Sequence, residues 1–335
     1  MRKLALTTLA LIMLPLVAIS AVKLPADKAG TIGLPEGKIA FLRSGNVWVM
    51  DADGKNQDMI CESINADGRV SWAPDGRRIA FTRSGKVDLK GPDPVVGGMH
   101  KVYDIFVAWL DSAYANNRMW WTRLTDDLGS KGPEWSADGQ TITFCKDMNA
   151  NLVNASMPNY QICTMGPTGE NFQILRNDWQ NFDDDFLIAP TASPQGKIAA
   201  VTIYKKRPVG FVVFDKDNFM VPVDTIRARS ASNVKLVAPA FSPDGEWLAY
   251  INNNINDGGL YIASSDLSEH YLVFTPPVGA YMYTLAPSFS PDSKWITFST
   301  TDGSVWIIDI TGNGARRLTG PGLDKFPAWS KAVPK

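Results

Sequence analysis

Apolar residues along this chain come in short unbroken runs rather than in alternation. Residues 47–50 (Val-Trp-Val-Met) and 211–214 (Phe-Val-Val-Phe) carry no polar residue at every second position. A strand with one face in water alternates, so these strands must be covered on both faces. Two sheets packed face to face leave one face of each strand wet. Sheets arranged radially are each held between two neighbours. Similar runs recur at 104–109, 161–165, 259–263 and 304–309, each preceded by another apolar strand, as at 78–81 and 247–250. Shorter outer strands are expected at 121–125 and 315–319. No long helical periodicity appears after residue 20.

The strands are punctuated by one turn. It reads Phe241-Ser242-Pro243-Asp244-Gly245 and Phe289-Ser290-Pro291-Asp292-Ser293 in its clearest copies, Trp72-Ala73-Pro74-Asp75-Gly76 and Trp135-Ser136-Ala137-Asp138-Gly139 in earlier ones, and Ala192-Ser193-Pro194-Gln195-Gly196 in a worn one. Pro presets φ, Asp bonds the local backbone, and Gly accepts a left-handed conformation. A sixth copy is divided: Phe326-Pro327-Ala328-Trp329-Ser330 ends the chain, and its missing half stands at 35–41. Four short strands per repeat of roughly 40 residues define a propeller. The expected fold is therefore all-β, a six-bladed β-propeller of four-stranded antiparallel blades. Its ring is closed by N-terminal strands (37–41, 46–51, 58–61) pairing with a C-terminal strand at 326–330, which removes an exposed sheet edge.

Composition adds a compartment. Residues 1–20 read as a signal peptide, with Arg2 and Lys3 before an apolar stretch and small residues at Ala18 and Ser20. The stretch is short for a membrane span and contains Pro15. A short lead (21–36), the propeller (37–331) and a tail (332–335) follow. The expected location is periplasmic or secreted, with no membrane span after leader removal, and the chain is expected to be a monomer. Net charge is −1, and about −3 without the leader, so nucleic acid is a poor partner. The three cysteines exclude a fully paired framework. Cys145 and Cys163 fall on neighbouring strands and could bond, but the reading as buried small apolar residues is preferred.

The turn-plus-strand pattern resembles the TolB-type propeller repeat, approximately P-x-[WF]-S-P-D-G-x-x-[IL]-[AT]-[FY] followed by an I-[YW]-[VI]-x-D strand. The match covers about residues 35–331 and is strongest at 239–263 and 287–319. The resemblance implies a propeller-only relative, since that family carries an α/β domain before its blades and only about sixteen residues precede the first strand here. It implies an envelope protein as partner, although no residue motif transfers the family's contacts, and fold alone does not fix function.

The search for chemistry is mostly negative. No G-x-S-x-G elbow occurs. His100, in a long loop, and His270, at the start of an outer strand, are both expected at the surface. Calcium needs a shaped shell of six to eight oxygens. The acidic group Asp178, Asp183, Asp184 and Asp185 is a weak candidate for it, and Asp51-Ala52-Asp53-Gly54 is better read as a hairpin. No cofactor is expected.

The long connections lie at 83–102, 146–159, 176–187, 225–236 and 275–285, on the face opposite the tight turns, with the segment 111–119 as the exception on the tight-turn face. Variable loops on a rigid ring make binding surfaces. Candidate partner contacts are Trp179, Phe182, Tyr281 and Tyr283, with a basic arc of Lys205, Lys206, Arg207, Arg227 and Arg229. The leading expectation is a non-enzymatic scaffold that binds an envelope or extracellular protein through this long-loop face. The alternative is a carbohydrate-binding propeller that takes polysaccharide, or a carboxylate/Ca²⁺-dependent hydrolase or lyase.

Overall fold

The structure, a computed structural model, describes residues 22–89, 98–110, 121–150, 158–175, 186–204, 207–215, 224–227, 236–252, 258–277 and 287–331. Among these residues, 24 strands form six antiparallel sheets of four. The innermost strands of blades 1 to 6 are Asp324–Trp329, Ala66–Trp72, Ser130–Trp135, Phe186–Ala192, Leu236–Phe241 and Ser288–Phe289. Each touches the next, and the sixth touches the first, so the ring is closed.

Closure is the predicted one. In blade 1, Asp324–Trp329 pairs with Lys38–Arg43, which leads outward to Asn46–Asp51 and Asp58–Cys61. Ser330 N donates to Lys38 O at 2.8 Å, and Trp329 Nε1 donates to Glu36 O at 2.7 Å. Both chain ends are thus built into one sheet.

The apolar runs acquire their explanation here. Six buried clusters each fill one interface between neighbouring blades. Successive residues of a strand point to opposite faces. Val212 therefore packs toward blade 3 and Val213 toward blade 5. Val47 and Val49 face blade 2, and Met50 faces blade 6. Each such side chain contributes about 1.5–3 kcal/mol on burial.

The same rule settles the cysteines. Cys145, in Ile142–Asp147, pairs across the ladder with Ile162, while Cys163 pairs with Phe144. They face opposite blade interfaces, and all three cysteines are buried and outside any disulfide.

Two expectations require correction. The connection after Arg83 is not a loop throughout. Strands Arg78–Leu89 and Gly98–Trp109 continue as a paired arm, with His100 opposite Val87. The ladder runs on because Pro92 and Pro94, which cannot donate to it, come only beyond Leu89. His270 is not at the surface. It is 8% exposed, with Nδ1 at 3.1 Å from Tyr250 Oη and Nε2 at 3.1 Å from Leu267 O, because its strand turns it into the blade.

The N-terminal lead is an ordered strap. Val22 O accepts from Leu272 N at 2.9 Å, and Leu24 and Ala29 join the cluster between blades 5 and 6. Lys294 Nζ then reaches Ala29 O, and Trp295 Nε1 reaches Gly33 O.

Candidate functional site

The tight turns consume their own polar groups. In blade 5, Ser242 Oγ donates to Asp244 Oδ1 at 2.5 Å and accepts from Trp247 N at 3.0 Å, while Asp244 Oδ1 also accepts from Glu246 N. Ser290 with Asp292 and Ser136 with Asp138 repeat this arrangement. These acids are held locally, as expected for Asp in a turn.

The inner strands behave differently. Register shifts interrupt their pairing in blades 1 to 5. Left-handed residues stand at these shifts: Phe326, Gly68, Gly132, Ala189 and Ala238. In blades 1, 3, 4 and 5 the next residue is proline, which lacks an N–H and fits an interrupted ladder. In blade 2 the next residue is Arg69. Bulges re-aim backbone groups, and two carbonyls freed in this way meet that arginine. Arg69 Nη1 donates to Pro190 O at 2.9 Å, and Nη2 donates to Pro239 O at 2.8 Å. One side chain from blade 2 therefore binds blades 4 and 5 across the axis.

Two further charges join it. Arg69 Nη1 lies 3.4 Å from Glu134 Oε2 of blade 3. Lys331, just past the last strand of blade 1, reaches Glu134 Oε1 at 3.0 Å and also the carbonyl of Trp135. The three side chains are only 11%, 16% and 24% exposed for Arg69, Glu134 and Lys331. Burial pulls the Arg69 guanidinium down from its ordinary value, and Glu134 opposes that shift.

Around this cluster lies an axial cavity of about 220 Å³. Its walls include Trp72, Phe241, Phe289 and Trp329, and it is bordered by turn residues such as Pro194 and Pro243. It therefore belongs to the tight-turn face. Hydroxyls on the inner strands stitch neighbouring blades at every second interface: Ser71 Oγ accepts from Trp135 N, Thr191 Oγ1 from Phe241 N, and Ser288 Oγ from Trp329 N.

Sequence reasoning missed this cup. The available signal was positional: two residues before the repeat's aromatic position, blade 2 has Val70 where the other five blades have proline, and Arg69 stands beside it in a longer bulge. Glu134 likewise precedes its tryptophan where Ser71, Thr191, Ala240, Ser288 and Ala328 stand in the other repeats.

The predicted long-loop site is only partly in view. Trp179, Phe182, Tyr281, Tyr283, Lys205, Lys206 and Arg229 lie outside the described residues, as do Asp178, Asp183, Asp184 and Asp185. Arg207 opens the strand Arg207–Asp215, and Arg227 closes Asp224–Arg227 opposite Gly210. The ladder thus brings Arg207 and Arg227 to the same end of blade 4. Among the described residues, no group of three or more His, Cys, Asp or Glu is placed to hold a metal ion.

The architecture has relatives among solved structures. TolB from Acinetobacter baumannii superposes with a TM-score of 0.63 at 19% identity, over 88% of this chain and 66% of that one. The chain thus spans just under two thirds of that TolB. A nidogen/laminin complex gives 0.60 at 10% identity, over 88% of this chain and 98% of that one. A puromycin-hydrolyzing peptidase of Mycobacterium tuberculosis gives 0.52 at 11% identity, over 87% of this chain and 45% of that one. No family model and no curated protein sequence matches. The fold is that of a TolB-type β-propeller.

Proposed function

We propose that the protein is an exported, non-enzymatic scaffold that binds an envelope or extracellular protein through its long-loop face. The observation that carries this reading is the division of labour between the two faces of a closed ring. On one face the turns joining the two inner strands of each blade are short, and their polar groups are bonded within the turn, as at Ser242 and Asp244. On the other, connections vary in length, and the ladder of blade 4 sets Arg207 and Arg227 at one end. A rigid ring with adaptable loops on one side suits recognition of a protein surface. The leader at residues 1–20 supports export to the periplasm or beyond. No helix among the described residues is long and apolar enough to cross a membrane.

A pull-down from envelope extract tests the surface, comparing the native chain with a Trp179→Ala/Tyr281→Ala variant. Loss of a specific partner in the variant is the expected result, and equal recovery contradicts it. A thermal-shift series with Ca²⁺ and oligosaccharides addresses the ligand-dependent alternative. A scaffold of this kind shows no shift with either, whereas a ligand-binding propeller is stabilised.

A further inference from the structure

The axial cup lies on the face opposite the long loops, so its chemistry stands independently of the scaffold reading. Its charges do not balance. Arg69 and Lys331 bring two cations, and Glu134 brings one carboxylate. Three carbonyls, of Pro190, Pro239 and Trp135, soften the excess but carry no full charge. A net positive charge on side chains this deeply buried is unfavourable until an anion joins it. The turn acids on the same face cannot serve, because Asp138, Asp244 and Asp292 are bonded within their own turns.

We propose that the cup binds a small organic monocarboxylate whose carboxylate meets Arg69 and Lys331 and whose apolar group lies against wall residues such as Pro74, Pro194, Pro243 and Phe241. The size of the cavity supports a small ligand: about 220 Å³ lies below the roughly 300 Å³ at the lower end of drug-sized pockets. The wall supports an apolar body, since five prolines line it beside Phe241 and Phe289. The cluster supports one negative charge, because one restores neutrality. Lys331 lies just past the last strand of blade 1 and touches blade 3 alone, whereas Arg69 holds three blades besides its own. The two cations are therefore separable by mutation.

The test is isothermal titration of the full-length protein with 3-phenylpropionate as probe, against its neutral amide, acetate and inorganic phosphate. The expected result is one site for 3-phenylpropionate, with the amide weaker by about tenfold or more, since a hydrogen bond to a charged group is lost. Acetate, which lacks the apolar body, and phosphate should also bind more weakly. Lys331→Met should weaken the probe by about tenfold. Glu134→Gln should tighten it, because the competing carboxylate is gone. These opposite signs separate a binding role from a purely structural one, and circular dichroism melts of both variants establish that the ring is intact. The comparison of acid with amide needs no variant. Undetectable binding of 3-phenylpropionate, equal binding of acid and amide, tighter binding of phosphate, or no change in Lys331→Met would overturn the assignment.

Discussion

Arg43 holds Asp324 through two hydrogen bonds of 2.7 Å, Nε to Oδ1 and Nη2 to Oδ2, across 281 residues of chain. The pair joins the strand Lys38–Arg43 to the strand Asp324–Trp329 and lies in the seam that closes the ring. Asp324 is 5% exposed at its side chain, so the bidentate geometry offsets a real desolvation cost. Arg43→Leu should destabilise the protein by about 3 kcal/mol, because it strands a buried carboxylate. Urea denaturation measures this. A variant with an unchanged midpoint would show that the seam does not depend on the pair.

The thiols give a second expectation. Burial pushes Cys61, Cys145 and Cys163 up to about 12. A thiol whose folded pKa is raised favours the neutral form. It therefore contributes stability that is fully present below the unfolded value of about 8.5 and is lost as pH rises toward 12. A thiol reagent at pH 8 should modify none of the three in the folded chain and all three after denaturation. Rapid labelling of the native protein, or fewer than three thiols after unfolding without reductant, would contradict this arrangement.

Asp266 gives the acid limb. The hydroxyls of Ser264 and Ser268, at 2.5 and 2.7 Å, and the amide of Ser268 hold its carboxyl down to about 2. A depressed carboxylate contributes stability that is present above the unfolded value of about 3.9 and is lost as pH falls through the folded value. The stability difference between the native chain and Asp266→Asn should shrink between pH about 4 and about 2. The group is exposed, so the difference is small. An NMR titration of its carboxyl that finds an ordinary midpoint would refute the assignment.

The strap is tested at two positions two residues apart. Leu24 is 4% exposed and packs between blades 5 and 6, whereas Val22 is 54% exposed. Leu24→Ala should cost about 2–3 kcal/mol. Val22→Ala should change stability by less than about 0.5 kcal/mol. Chemical denaturation of both distinguishes a packed strap from a passive lead, for which the two changes would be equal.

Blade number and closure were legible because both signals are local and repeated. The turn states its own chemistry, and a strand such as Asn46–Asp51 shows in its unbroken apolar run that both faces are covered. His270 was not legible, since one polar residue in an outer strand does not reveal that Tyr250 lies over it. The axial cup was harder still. Glu134 is 65 residues from Arg69 and 197 from Lys331, and only the ring brings them together. The loss of the repeat's proline beside Arg69 was visible, but the partners of Arg69 are backbone carbonyls that no side-chain pattern announces. Of the residues anticipated on the long-loop face, Arg207 and Arg227 are placed, both in blade 4.

Both proposed sites depend on one closed ring in which Asp324–Trp329 completes the sheet of Lys38–Arg43. Deleting residues 321–335 removes the inner strand of blade 1 and its pairing to Lys38–Arg43. Thermal unfolding of this truncation, followed by circular dichroism beside the full-length protein, is the most direct test. Loss of the cooperative transition, or a large fall in its midpoint, is the predicted result. A truncated chain that melts like the intact one would contradict the closure and the placement of both faces built upon it.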